Sequence, residues 1–143
     1  MGEPDDDHDD VPDEIVVGVR AICTSLPEVI EEPAWVGTRW RVRTKTFAHV
    51  LRISRGWPPV YARAAADDGP VDVVTFRSSG AELDVLRAAG HPFFAPPWRR
   101  DEVGLLLPVG STVDWSEIRE LVTESFCCQA PAKLSRLVER PSG

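Results

Sequence analysis

Residues 38–53, TRWRVRTKTFAHVLRI, have the clearest two-residue periodicity in the chain. Trp40 and Val42 alternate with three arginines in the first part of this stretch. Because successive side chains of a strand point to opposite faces, the pattern predicts a half-buried strand with one apolar and one basic face. The three arginines are Arg39, Arg41 and Arg43.

The run at residues 47–53 predicts a second strand that pairs antiparallel with the first. With Val42 opposite Phe47, one alternating set of this run shares the face of Trp40. The connection at residues 44–45 lacks the Asn-Gly or Gly signal of a tight turn, which leaves the turn length and the register open. The alternating set consists of Phe47, His49 and Leu51.

Upstream of the hairpin, apolar residues recur at helical spacing over residues 15–26, which predicts a first helix that Pro27 ends. Asp10 is the expected N-cap of this helix. Downstream of the hairpin, residues 54–70 are rich in Gly and Pro. We interpret them as a mobile loop.

Two more helices, a last helical turn and three more strands are expected after this loop. Ser79 and Glu82 have the S-x-x-E spacing of a capping box, and Gly90 is placed to end that helix. Asp114 begins a further helix, and Pro131 begins the last turn. The strands are predicted at residues 71–76, 93–94 and 103–107.

The resulting element order, α-β-β-β-α-β-β-α, has hairpin-length connections between most strands, which favours an antiparallel sheet. We therefore predict an α+β fold with two layers, in which helices pack on one face of a five-stranded antiparallel sheet. Residues 12–140 form this single domain. Residues 1–11 form an acidic tail with nothing to bury, so we expect it to be disordered.

The charges are segregated along the chain. There are 16 basic and 23 acidic residues, but residues 1–14 hold eight of the acids and no Lys or Arg, so the remainder is almost neutral. Residues 34–66 contain seven basic residues and no acid. Such a run can form a positive surface for an anionic partner, and it can equally be a strand face that arginines merely keep soluble.

Composition argues against several classes of protein. No apolar run approaches the roughly 20 residues of a membrane span, and the acidic start differs from a signal peptide, so we expect a soluble cytoplasmic protein. The three cysteines lack C-x-x-C spacing and the three histidines are scattered, so no metal or other cofactor is expected. Cys127 and Cys128 are adjacent, where a mutual disulfide would be strained, so we expect free, buried thiols.

Aromatic residues divide into two groups. Trp35, Trp40 and Trp115 are expected in the core. Trp98 follows two prolines and precedes two arginines, so core and surface-turn positions are both open. His49 is expected to be a packed core histidine, because its strand phase points inward and no carboxylate shares its motif.

A series of short motifs occurs in order along the chain. They are SLP at 25–27, EEPAW at 31–35, TRWRV at 38–42, KTFA at 45–48, FAPPW at 94–98, VGL at 103–105 and APAKL at 130–134. In these motifs the chain resembles the MmcQ/YjbR family over about residues 12–140. The resemblance implies the same element order in a secretion-chaperone-like architecture, and a small DNA-binding protein with two wing-like projections. The acidic start and Ala132, where many members carry a second Lys, depart from the family pattern.

Binding to DNA requires Lys and Arg side chains that neutralise several phosphates, together with apolar groups that seat the surface. The basic strand face and the turn that follows the prolines both meet this requirement. We therefore predict a protein that contacts double-stranded DNA mostly through phosphates, with little sequence preference. The predicted DNA-binding residues are Arg39, Arg41, Arg43, Lys45 and Arg52 on the strand face, and Trp98, Arg99 and Arg100 in the turn.

The sequence does not support an enzyme, because it has no G-x-S-x-G elbow, no phosphate-cradling glycine loop and no H-E-x-x-H motif. The alternative hypothesis is a protein-interaction or small-ligand module with a groove near Trp57, Tyr61 and Trp98. The acidic tail either screens the basic face or only adds solubility.

Overall fold

The computed structural model describes residues 11–139. Three predictions lie outside the described residues: the acidic tail except for Val11, the N-cap at Asp10 and the domain end at residue 140. Over this range the chain forms a six-stranded sheet and five helices. The strands are β1 (Val29–Pro33), β2 (Thr38–Val42), β3 (Lys45–Ile53), β4 (Val71–Arg77), β5 (Phe93–Phe94) and β6 (Glu102–Pro108). The helices are α1 (Asp13–Thr24), α2 (Pro59–Ala65), α3 (Gly80–Ala88), α4 (Trp115–Gln129) and α5 (Ala132–Ser135).

Neighbouring strands of the sheet are antiparallel throughout, in the order β1-β2-β3-β4-β6-β5. The α+β class and the antiparallel sheet are confirmed, but the expected count of five strands is wrong because β1 was not predicted. Its sequence, VIEEP, has two adjacent acids and a terminal proline, which are uncommon in strands. An edge strand tolerates both, because one side of its backbone has no strand partner.

The β2–β3 turn is tighter than its sequence indicates. Val42 pairs with Lys45 rather than with Phe47, so only two residues connect the strands. Arg43 occupies the first turn position with a φ of 55°, in the left-handed region. An arginine takes the left-handed position where glycine or asparagine is usual, so the sequence lacks the usual signal of a tight turn.

A β-bulge at Phe47 changes the face on which later residues of β3 lie. Trp40 pairs with Ala48 and Arg41 pairs with Thr46, so Phe47 is an extra residue between them. After the bulge, the alternation is shifted by one position. Phe47 therefore shares the face of Trp40 as predicted, whereas His49 and Leu51 lie on the opposite face, contrary to prediction.

The main core lies between the sheet and helices α1 and α4. Trp40, Phe47 and Phe126 are fully buried there, and the rings of the two phenylalanines meet edge to face with centroids 5.3 Å apart. Ser125 of α4 is also buried, and it joins the helix to the bulge: its hydroxyl donates to the carbonyl of Phe47 at 2.6 Å and accepts from the amide of Arg77 at 2.7 Å. Helix α4 thereby fixes the ends of β3 and β4 that the candidate site uses.

Helices cover part of the second sheet face as well, so the prediction of helices on one face is wrong. Residues 54–70 contain α2, where a mobile loop was expected. Ala62 of α2 is buried in a smaller cluster that includes Ile53, Val73 and Leu106. Two adjacent prolines start this helix, because a proline is tolerated in a first turn whose amides have no intrahelical partner.

The capping predictions have mixed outcomes. Asp114 caps α4 as expected, since its carboxylate accepts from the amide of Glu117 at 3.1 Å. Ser79 occupies the N-cap position of α3, but its side chain makes no capping hydrogen bond. Its hydroxyl lies instead 3.6 Å from the sulfur of Cys128.

Candidate nucleic-acid interface

The arginines of β2 and of the turn that follows it are paired with acids of the neighbouring segment. Glu32 accepts hydrogen bonds from Arg39 and from Arg41, the latter at 2.8 Å, and these bonds hold the pKa of Glu32 below its ordinary value. Glu28 lies 3.3 Å from the guanidinium of Arg43. The acid-free run at residues 34–66 is therefore partly neutralised across the sheet.

Arg52 does not belong to the basic strand face. Its register partner is Asp72, and the two side chains form an ion pair at 3.0 Å on the helical face of the sheet. Both are nearly buried, with 13% and 6% of the side chains exposed. The assignment of Arg52 to the predicted DNA-binding face is therefore wrong, and the cause is the phase shift that the bulge introduces.

A cavity of about 240 Å³ opens on the second face of the sheet, beside α2. We call it the aromatic cleft. The sheet supplies its polar groups, while α2 and two loops supply its rings. The polar groups include His49, Arg77 and Glu102, and the rings are those of Trp35, Tyr61 and Trp98.

The rings of the aromatic cleft are partly exposed to solvent. Trp98 is 42% exposed and its ring centroid lies 5.0 Å from that of Tyr61 in an edge-to-face contact. Trp35 is 73% exposed and touches Trp57 with centroids 5.6 Å apart, so its expected place in the core is wrong. For Trp98 both a core position and a surface turn were left open, and the structure shows the surface turn.

Of the other two tryptophans expected in the core, Trp40 lies fully inside it and Trp115 only partly. Trp40 is fully buried, and its indole N–H donates to Glu31 at 2.8 Å. Trp115 is half-buried and covers Gly18 of α1 so closely that a β-carbon there would lie 2.1 Å from the ring.

Glu102 is a nearly buried carboxylate inside the aromatic cleft, with 6% exposed. Burial raises its pKa, although the guanidiniums of Arg77 and Arg99 and hydrogen bonds from Trp98 and Thr75 act in the opposite direction. The nearest approach to Arg99 is 3.5 Å. The carboxylate thus ties the exposed ring of Trp98 to the sheet.

His49 acts as a structural anchor of the same cleft. Its Nε2 lies 2.6 Å from the carbonyl of Val36, and burial lowers the pKa of the imidazole, so the ring is neutral at pH 7 and donates this bond. The ring also contacts Tyr61, with centroids 6.1 Å apart. His49 is a packed histidine as expected, but on the face opposite Trp40.

A second cavity of about 350 Å³, which we call the basic cavity, adjoins the aromatic cleft. Thr46, Arg77 and Arg99 line both. Lys45 at the start of β3 and Asp101 from the β5–β6 loop complete the charges of the basic cavity. The two predicted basic segments therefore meet at one end of the sheet.

The β5–β6 loop is held from behind by a single side chain. Arg87 of α3 donates to the backbone carbonyls of Pro96 at 3.1 Å, Arg99 at 2.9 Å and Glu102 at 2.7 Å. Trp98 lies inside the segment that these three bonds enclose. The loop that carries Trp98 and the exposed Arg100 is therefore fixed to the domain.

Sequence reasoning missed Arg77 and Glu102. Arg77 ends a strand whose preceding six residues are all buried, and Glu102 begins another buried strand. A charged residue at the end of such an apolar run is a usable signal, because a buried charge needs a partner or a function. The pairing Arg77↔Glu102 in the sheet register places both at the site.

Three other features bear on the expectations drawn from composition: the burial of the cysteines, groups of metal-ligating side chains, and long apolar helices. Cys128 is exposed and Cys127 is only half-buried, so the expectation of buried thiols is wrong for this pair. Within residues 11–139, no three His, Cys, Asp or Glu side chains are grouped to hold a metal ion. No helix in that part of the chain is both long and apolar enough to cross a membrane.

Comparison with protein families identifies the chain. The YjbR family model matches residues 24–128, which is most of the sequence. The chain belongs to the YjbR family. The resemblance found in the sequence motifs is thereby confirmed.

Among solved structures, this YjbR protein is similar to Deinococcus radiodurans protein DR2400, a crystal structure described with a DUF419 domain. The alignment has a TM-score of 0.54 and 17% identity, and it covers 79% of this chain and 76% of that one. At this identity the likeness shows a shared fold and carries no function. A search of curated proteins produced no match.

Proposed function

We propose that this YjbR protein binds double-stranded DNA through its phosphates, at the end of the sheet where the β2–β3 turn and the β5–β6 loop lie side by side. The observation that supports this function best is the basic cavity, in which Lys45, Arg77 and Arg99 come together. Phosphate contacts from several cations on one surface are the main source of affinity for DNA of any sequence.

The cations of this end differ in how readily they reach a phosphate. Lys45 and Arg100 are exposed on the two projections. Arg77 is 3.6 Å from Asp101 and is largely covered, so it contributes charge more than direct contact. Arg39 and Arg41 of β2, paired with Glu32, and Arg43 of the turn, paired with Glu28, contribute less than their number suggests, because each would exchange an existing ion pair for a phosphate.

In this proposal the protein binds DNA without catalysing a reaction. His49, the imidazole that lines the aromatic cleft, donates to the carbonyl of Val36 through Nε2 and serves to fix the cleft wall. Glu102, the buried carboxylate, is occupied by Trp98 and Thr75. The chemistry offered at the surface is therefore positive charge and aromatic area.

Fluorescence anisotropy of a labelled blunt duplex of about 20 bp tests the proposal, across about 20 to 200 mM salt. The variant Lys45→Glu/Arg99→Glu/Arg100→Glu should weaken binding at least about tenfold and flatten the dependence of log affinity on log salt. Arg119→Glu is the control, because Arg119 is exposed on α4 in the helical layer. Circular dichroism checks that both variants are folded.

Two results would contradict the proposal. One is the absence of duplex binding by the unmodified chain at the lowest salt. The other is an equal loss in the triple variant and in Arg119→Glu after correction for the number of charges reversed, since the effect would then reflect net charge alone.

A further inference from the structure

The aromatic cleft and the basic cavity adjoin and share Thr46, Arg77 and Arg99, so we treat them as two halves of one depression with two chemistries. One half carries the rings of Trp98, Tyr61 and Trp35, and the other half carries the cations Lys45 and Arg99. Arg77 and Arg99 line both halves. A ligand that spans the depression would place a flat ring beside aromatic side chains and an anionic group among cations.

The size of the aromatic cleft limits what can enter it. Its volume of about 240 Å³ lies below the roughly 300 to 1,000 Å³ of pockets for drug-sized molecules, so it suits a single ring system. A duplex cannot enter such a space, because its bases are stacked and paired. An unpaired base can, because it exposes its face for stacking on tryptophan.

The ring of Trp98 and the loop that carries it are held by contacts within the domain. Trp98 is tied to Glu102 through its indole N–H and touches Tyr61, and Arg87 holds the backbone on both sides of it. Yet 42% of Trp98 remains exposed. An aromatic side chain that is held rigidly and left partly uncovered beside arginines has the properties of a base-stacking platform.

We infer that the aromatic cleft binds a nucleobase whose phosphate lies in the adjoining basic cavity, supplied either by the unpaired end of a DNA strand or by a free mononucleotide. This inference rests on the proposed phosphate-binding function and adds a second, base-binding half to it. Trp98 stacks on the base, and Lys45 and Arg99 hold the phosphate.

The experiment compares three probes by anisotropy or calorimetry: a blunt duplex, the same duplex with a four-nucleotide single-stranded end, and a deoxynucleoside monophosphate. The unmodified chain should bind the duplex with the unpaired end at least about tenfold more tightly than the blunt duplex, a gain in the range of one stacked base. Trp98→Ala should remove this preference, so that the variant binds the two duplexes with equal affinity. Trp115→Phe is the matched control, since Trp115 lies in the helical layer.

Because Trp98→Ala also removes a hydrogen bond to Glu102, Trp35→Ala provides a second variant. Trp35 is 73% exposed on the other side of the cleft, so its removal leaves the fold intact and should weaken the preference for the unpaired end. Saturable binding of the mononucleotide that depends on Trp98, without a preference for the unpaired end, would assign the free nucleotide as the ligand. A preference for the unpaired end without mononucleotide binding would assign the DNA terminus.

The two proposals fail in different ways. Blunt-duplex binding with no preference for the unpaired end and no mononucleotide binding would overturn the base site and leave the phosphate-binding function standing. A preference for the unpaired end that survives both Trp98→Ala and Trp35→Ala would also overturn the base site. No blunt-duplex binding, combined with Trp98-dependent binding of the unpaired end or the mononucleotide, would overturn duplex binding and support the cleft.

Discussion

The two faces of the sheet are built from alternate residues of the same strands but have different surroundings. In β4, Val74 and Phe76 point into the dry core under the helices, whereas Thr75 and Arg77 belong to the open end of the second face. The first face has its large side chains fully buried. The second face is apolar only beneath α2, and beyond α2 it ends in charged and aromatic groups that solvent reaches. The contrast teaches that one face supplies stability and leaves the other free to carry a binding surface.

The largest expected effect that tests this contrast is Phe126→Ala. Phe126 is fully buried and contacts Phe47, so the change should lower the free energy of unfolding by about 4 kcal/mol, through lost burial and the cavity left behind. Urea denaturation monitored by circular dichroism provides the measurement.

The matched change on the second face is Trp35→Ala. It removes a larger side chain but should cost less than about 1.5 kcal/mol, because most of Trp35 is exposed and its contact with Trp57 is a single aromatic pair. Equal losses of stability in the two variants would mean that the second face supports the fold as strongly as the first.

Arg52→Met is expected to have the next largest effect. It leaves the nearly buried carboxylate of Asp72 without its guanidinium partner, so the free energy of unfolding should fall by about 3 kcal/mol at pH 7. Urea denaturation again measures the change, and the double variant Arg52→Met/Asp72→Asn should regain part of the loss because it removes the buried charge.

The loss in Arg52→Met should also depend on pH. Burial already raises the pKa of Asp72 although Arg52 opposes this, and removing Arg52 raises it further. A carboxyl with a raised pKa in the folded state supports folding below its unfolded pKa of about 3.9 and loses this contribution as the pH rises through the folded pKa. The deficit should therefore be larger at pH 7 than at pH 5, and equal deficits at the two pH values would show that Asp72 stays ionised.

The smallest expected effect concerns the edge of the second face. Glu32→Gln removes the acid that pairs with Arg39 and Arg41, so both guanidiniums become available to phosphates. Affinity for the blunt duplex at low salt should rise by about two- to threefold, in line with the modest strength of exposed ion pairs. Glu120→Gln, an equal change of charge on the exposed side of α4, is the control. An equal rise in both variants would assign the effect to net charge.

The sequence contained enough information for most of the fold. The helical spacing of residues 15–26 and the Asp114 cap correspond to α1 and α4, and the five predicted strands correspond to β2, β3, β4, β5 and β6 with similar bounds. The VIEEP strand was missed because its two acids and its proline are uncommon in strands, and its pairing with β2 is a non-local contact that no local pattern reveals. The helix at 59–65 was missed because its stability comes from covering apolar residues distant in sequence.

The candidate site was harder to predict for a related reason. The bulge at Phe47 shifts the alternation of all later residues in β3 by one position, and the sequence did not reveal it. Arg52 therefore lies on the face covered by α1 and α4, and His49 lies in the aromatic cleft. That Lys45 and Arg99 line one cavity follows from strand order, which the sequence left undetermined. Propensity and periodicity predict the structure of single segments, whereas the candidate site depends on contacts between segments that are distant in sequence.

The three bonds from Arg87 to the β5–β6 loop bear on the kinetics of binding. A projection that must first fold onto its target associates slowly, because only a fraction of encounters find it in a competent shape. In the proposed DNA interface, the Arg87 bonds hold the loop in one shape before DNA arrives, so we expect diffusion and the charge of the two projections to set the association rate. Arg87 would then act on the rate of association although it is not one of the proposed phosphate contacts.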